Sequence, residues 1–213
     1  MPSVTPILLS GLAGVVQGAR HALEPDHVTA VATVMVRAPS PRRGIFYAAC
    51  WGLGHAAMLV VVGGPLVALR VELPGPLTTA LELCVGVMLV WLGVRSLREA
   101  GHDHVHPIND TSATLVTRGR RPFAIGLMHG LAGSGALAAL IALAMPTVTG
   151  GLMCLALYSA GTVLGMVALA LLAGPLLARA GRFPRVAPMM GRVAGVASII
   201  VGVVWAIRTI AGV

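Results

Sequence analysis

Charge is what this chain most lacks. Asp, Glu, Lys and Arg together make up 10% of its 213 residues, where a water-soluble domain carries roughly a quarter. Lysine is absent, so all fifteen basic residues are arginine. Nearly all of them sit between apolar runs, which fits a membrane-topology signal and not a nucleic-acid patch, despite a net charge of +8. Cysteine is scarce and unpaired. Cys50, Cys84 and Cys154 lie in separate apolar segments without a CxxC spacing, which excludes a thiol-carrier redox pair and reads as inert buried thiols. No positive stretch precedes the first apolar run, so that segment is expected to remain in the mature protein.

Hydrophobic residues are abundant, at 57%, with a mean hydropathy of +0.90. Several apolar runs exceed the roughly 20 residues that cross a bilayer, which predicts an all-α polytopic membrane protein. The expected spans are 5–36, 45–69, 76–98, 122–146, 149–176 and 188–210, separated by Pro, Gly and Arg clusters. Glycine pairs four apart, such as Gly14/Gly18, Gly126/Gly130 and Gly161/Gly165, allow close helix contact and predict a single transmembrane domain over 1–213. Twelve arginines fall in the loops 1–2, 3–4 and 5–6 and their flanks, against Arg70 and Arg208 on the other side. Those three loops are therefore expected in the cytoplasm, with both termini outside it, in the cell's inner membrane.

The second half echoes the first. Gly18-Ala19-Arg20-His21-Ala22-Leu23 lines up with Gly126-Leu127-Met128-His129-Gly130-Leu131, and Gly64-Pro65-Leu66 with Gly174-Pro175-Leu176. Val90-Trp91 to Arg95 likewise lines up with Val204-Trp205 to Arg208. The order predicts repeats 1–98 and 122–213 around a loop 99–121. A three-span repeat inverts its second copy, giving the 3+3 inverted architecture of alternating-access transporters.

Arg20-His21-Ala22-Leu23-Glu24-Pro25-Asp26-His27 interrupts the first span with groups that a bilayer tolerates only for function. As a continuous helix that span would reach about 48 Å, against a hydrocarbon core of about 30 Å. Pro25 cannot donate to the carbonyl of His21, so the helix is expected to break near Pro25 and free that carbonyl. His21, Asp26 and His27 could then turn toward one point, with His55 of span two and His129 of span four as further ligands. Imidazole plus carboxylate suits Ni²⁺, Co²⁺, Zn²⁺ or Fe²⁺, whereas Ca²⁺ or Mg²⁺ wants oxygen throughout. Arg20 is expected to pair with Glu24 one turn on, as scaffold. In the 99–121 loop, His102, Asp103, His104 and His106 form a tract suited to capturing or handing over metal.

The His21-x-x-x-x-Asp26-His27 pattern, preceded by Gly18-Ala19-Arg20, resembles the signature of the nickel/cobalt transporter family, and Leu53-Gly54-His55 resembles the motif of that family's next helix. The compact form, with Gly126 to Gly135 opening the second half, looks most like the UreH-type branch of urease accessory membrane proteins. The resemblance covers spans one, two and four. It implies transport of Ni²⁺ or Co²⁺, with His21, Asp26, His27 and His55 on the metal path. Larger nickel permeases have Asp where this chain has Glu24 and Ala where it has Pro25, and they carry an acidic motif in a later helix that is missing here. The metal and the direction, import or efflux, therefore stay open. A membrane metallochaperone passing nickel to metalloenzyme-assembly proteins is the alternative. Gly133-Ser134-Gly135 superficially resembles the nucleophile of rhomboid proteases, but such a serine needs a base from the sixth helix. Span 188–210 holds no histidine, so no enzyme is expected and Ser134 counts as scaffold.

Overall fold

The computed structural model describes residues 4–36, 38, 40–100, 115–130, 134–180, 183 and 186–212. Among the described residues every regular element is helical: α1 (Val4–His21), α2 (Pro25–Met35), α3 (Pro41–Met58), a π-helical turn (Leu59–Gly63), α4 (Gly64–Leu69), α5 (Gly75–Ala100), α6 (Leu115–His129), α7 (Ser134–Leu143), α8 (Val148–Ala180) and α9 (Val186–Ala211). Four stretches are long and apolar enough to cross a membrane: Pro41–Leu69, Gly75–Ala100, Val148–Leu177 and Pro188–Ala211. Their outward faces carry large apolar side chains, with Val87 67% and Leu172 73% exposed. Surface of that kind suits lipid and not water. The protein is a helical membrane protein.

The first helix breaks where its proline requires, but not in the way expected. A residue before proline is pushed out of the helical region, and Glu24 is extended at φ −65°, ψ 149°. Helix α1 therefore stops at His21, and α2 restarts with Pro25 in its first turn, where a missing N–H costs nothing. The His21 carbonyl is not freed: the Glu24 N–H donates to it at 3.0 Å, and Leu23 N–H donates to the Arg20 carbonyl at 2.9 Å. A tight turn takes over the bonds that the proline forfeits.

The fourth expected span is also two helices. Helix α6 begins at Leu115, ahead of Pro122, which sits inside it, and ends at His129; α7 starts at Ser134. Helix α3 is capped by Ser40, whose hydroxyl accepts from Arg43 N–H at 3.4 Å, with Pro41 in the first turn.

Glycine sets which helices meet. A methyl at Gly18 would collide with the Tyr158 carbonyl, and one at Gly161 with the Val15 carbonyl, so α1 and α8 touch backbone to backbone. Gly126 against the Trp51 carbonyl and Gly54 against the Phe123 carbonyl do the same for α6 and α3. Both pairs are parallel, because contacts advance together along each: Gly14 with Leu157 and Gly18 with Thr162; Gly119 with Cys50 and Gly130 with Met58. Helices α5 and α9 are antiparallel, with Gly86 against Gly202 and Gly93 against Gly195. That pair is also held by Ser96 Oγ donating to the Gly191 carbonyl at 2.9 Å and Ser198 Oγ donating to the Leu89 carbonyl at 2.8 Å.

Two apolar clusters form the interior. One gathers Trp51, Leu89 and Met166 with Val31 and Met35; the other gathers Leu59, Val67, Leu155 and Tyr158. At one end Arg70, left-handed at φ 55°, closes α4. Its guanidinium donates to the carbonyls of Leu143 (3.2 Å), Met145 (3.0 Å) and Pro146 (3.0 Å), tying α4 to the end of α7.

Candidate metal centre

Two of the four span histidines occupy the same local position. His21 and His129 lie in the last turns of α1 and α6, where the partial negative charge of a helix C-terminus favours a cation. His55 lies near the end of α3 but inside the continuous helical stretch Pro41–Leu69. The fourth histidine, His27, and Asp26 come from the first turn of α2, where a carboxylate is favoured by the opposite end of the dipole. Immediately after α3 the backbone widens into the π-helical turn, a distortion common at functional sites.

The five side chains meet in the interior. His21, Asp26, His27, His55 and His129 are all between 0 and 3% exposed. Asp26 Oδ2 lies 2.7 Å from His129 Nε2 and 3.2 Å from His27 Nδ1, and the two imidazole nitrogens are 3.3 Å apart. The His27 ring centroid stands 4.2 Å from both His21 and His129, each edge-on, and 5.3 Å from His55. One ligating atom from each of His21, His27 and His55 falls within 4.8 Å of the others, and the same holds for Asp26, His27 and His129.

Several of these atoms have no partner among the described residues. Asp26 Oδ1, His27 Nε2, His129 Nδ1 and both ring nitrogens of His55 are buried with no hydrogen-bond partner among the described residues. Leaving such a group unsatisfied costs about 1–3 kcal/mol, so five in one place is an expensive arrangement for packing alone. A divalent ion, taking one nitrogen from each imidazole it meets, would satisfy part of this set. The donor set of imidazole nitrogen and one carboxylate matches a first-row transition metal.

The scaffold residues are placed differently from one another. Glu24 reaches back to His21, its Oε2 3.0 Å from Nδ1. Arg20 is exposed, and it does not share a helix with Glu24, since α1 ends at His21. Pro25 opens α2, and Ser134 opens α7; the side chain of Ser134 lies outside the described residues, as do His102, Asp103, His104 and His106 altogether. Two wall residues escape the sequence reading. Trp51 stacks at 6.4 Å on His27 and stands 6.1 Å from His129, while the Tyr158 ring lies 5.7 Å from His21. Trp51 precedes His55 by one helical turn on the same face, a spacing that could have drawn notice. Each belongs to one of the two apolar clusters, so the centre sits between them.

The fold and the centre define a class: a helical membrane protein built around a buried histidine–carboxylate cluster with the chemistry of a metal site. The urease accessory protein UreH of Bacillus sp. (strain TB-90) is 31% identical over 201 residues, covering 89% of this chain and 87% of that protein. The chain belongs to the UreH family. Chloroplast proteins FOR GROWTH AND FERTILITY 1 and 2 of Arabidopsis thaliana are each 29% identical over 175 residues, and the chain spans about half their length, 48% and 46%. No family model matches the sequence, and no solved structure matches it.

Proposed function

We propose that the protein is not an enzyme but a transporter, which carries a divalent transition-metal ion, Ni²⁺ or else Co²⁺, through the His21/Asp26/His27/His55/His129 cluster. One observation carries the reading. Five ligand-type side chains from four helices converge in the protein interior, and Asp26, His27, His55 and His129 each keep at least one ligand-type atom with no hydrogen-bond partner among the described residues. Broken helices whose ends face an ion are how transporters build sites in the bilayer. The anionic Asp26 offsets part of the dehydration cost of a divalent cation.

The reading includes six spans in one transmembrane domain, arranged as a 3+3 inverted repeat, with α1/α2 and α6/α7 as the broken first spans. Helix directions support it. The parallel α1–α8 and α6–α3 pairs exchange under the repeat, and the antiparallel α5–α9 pair maps onto itself. Gly18 and Gly126, aligned in sequence, make the same backbone contact in each copy. The arginine distribution supports an inner-membrane orientation with the Arg-rich loops cytoplasmic. The urease accessory name of the relative favours a second reading, a metallochaperone handing nickel to metalloenzyme-assembly proteins.

Proteoliposomes loaded with a metal-sensitive dye separate the two and also read direction. Transport predicts flux of Ni²⁺ or Co²⁺ that His21→Ala, Asp26→Ala and His27→Ala each abolish at equal incorporation. A chaperone binds Ni²⁺ in detergent yet moves none, and parental flux in all three variants refutes both readings of the cluster.

A further inference from the structure

We infer that the cluster is two overlapping ion positions that share His27, and that an ion passes between them by exchanging partners around that ring. The inference rests on the metal-ion reading above and adds to it the number of positions and their order of connection.

The ligating atoms fall into two sets, not one. The first is His21, His27 and His55, three imidazoles; the second is Asp26, His27 and His129, two imidazoles and a carboxylate. His27 alone belongs to both. Its ring stands between the sets, edge-on to His21 and to His129 at the same 4.2 Å, while His55 and His129 are 6.2 Å apart by ring centroid. An imidazole carries two nitrogens, and a neutral ring binds a metal through whichever of them does not hold the proton. Nδ1 of His27 faces the second set, 3.2 Å from Asp26 Oδ2 and 3.3 Å from His129 Nε2. Its Nε2 is buried and has no hydrogen-bond partner among the described residues.

The two positions differ in chemistry. The second holds the carboxylate and so cancels part of the ion's charge. The first offers nitrogen alone, with the Glu24 carboxylate behind His21 and outside the set, and both ring nitrogens of its His55 have no hydrogen-bond partner among the described residues. Translocation needs binding strong enough to admit an ion and divided enough to let it leave. A shared ligand meets that need: His27 holds the ion through Nε2 with Nδ1 protonated in the first position, and through Nδ1 with Nε2 protonated in the second, the proton moving to the nitrogen that the ion leaves. The positions also draw on equivalent residues of the two halves, since His21 and His129 align in sequence and each supplies one set.

Titration of the full-length protein in nanodiscs with Co²⁺ alone tests this, because the visible bands of Co²⁺ report its ligands and geometry. His55→Ala and His129→Ala should each still take up one Co²⁺, weakened by about tenfold or more, since even outer-shell losses cost 10–100-fold. Their spectra should differ, the first showing mixed nitrogen–oxygen ligation and the second nitrogen alone. His27→Ala, and His27→Gln as a fuller-sized replacement, should take up none while eluting as the parent does. Complete loss of binding in both His55→Ala and His129→Ala means one undivided site and overturns the proposal. So does a parental spectrum in either His27 variant. Absence of Co²⁺ uptake by the parent protein instead removes the metal reading itself, and the proposal with it.

Discussion

Replacing Asp26 by asparagine should separate the stability of the centre from its hold on an ion. The substitution keeps the shape and an oxygen able to accept from His129 Nε2, which is 2.7 Å from Oδ2 in the parent. It removes a negative charge that is 3% exposed and whose Oδ1 binds nothing described. A hydrogen bond to a charged group contributes about 1.5–3 kcal/mol, while burying an ion costs several kcal/mol. The two nearly cancel. A difference of ~1 kcal/mol moves the midpoint by about 2–4 °C in a chain of this size, so the metal-free variant should melt within about 4 °C of the parent. The response to metal should part them. Ni²⁺ at about 100 times the parental Kd adds about 2.7 kcal/mol, or about 5–11 °C. Losing the anionic ligand weakens binding by about 100-fold, the upper end of what outer-shell losses reach. The same Ni²⁺ then adds only about 0.4 kcal/mol, or about 1 °C. Scanning fluorimetry in detergent, with and without Ni²⁺, reads both quantities. A variant that keeps the parental Ni²⁺ shift refutes Asp26 as a ligand. A metal-free midpoint lowered by more than about 10 °C shows that the carboxylate holds the fold and not the ion.

Gly18→Ala and Gly126→Ala should each destabilise by about 1–3 kcal/mol, as overpacking does, because the new methyl meets a backbone carbonyl that cannot step aside. Gly75→Ala, with no described atom within 4 Å of the added carbon, should leave the melting midpoint where it is, and equal effects at all three would refute the contact argument. Arg70→Met should accelerate hydrogen exchange around the α7–α8 turn by about tenfold, the equivalent of one lost charge-assisted hydrogen bond. Unchanged exchange there rules out the guanidinium as a tie between α4 and α7.

Local punctuation is legible in this sequence, and association between distant segments is not. Helices α5, α8 and α9 begin and end close to the expected limits, because long apolar runs stop at arginine and proline. The interruption at Glu24-Pro25 follows from the ring of one residue. The start of α6 is missed because Pro122 reads as a boundary, whereas the helix carries it inside and begins at Leu115. The Arg20–Glu24 spacing presumes a continuous helix; with α1 closed at His21, Glu24 faces that histidine instead. His55 and His129 could be nominated as polar groups in apolar surroundings, but no local rule places α6 parallel to α3. Trp51 and Tyr158 look like ordinary apolar residues until the packing of α3 and α8 sets them against imidazoles.

The seat of α1 on α8 has a consequence for how the chain is made. Gly18 and His21 find their partners at Tyr158 and Thr162, far along the sequence. At about 5–20 residues per second of synthesis, Tyr158 follows His21 by about 7–27 s. His55 and Trp51 reach His21 and His27 sooner, but the backbone seat of Gly18 stays empty throughout that interval. The packing of α1 is completed only once α8 has been made.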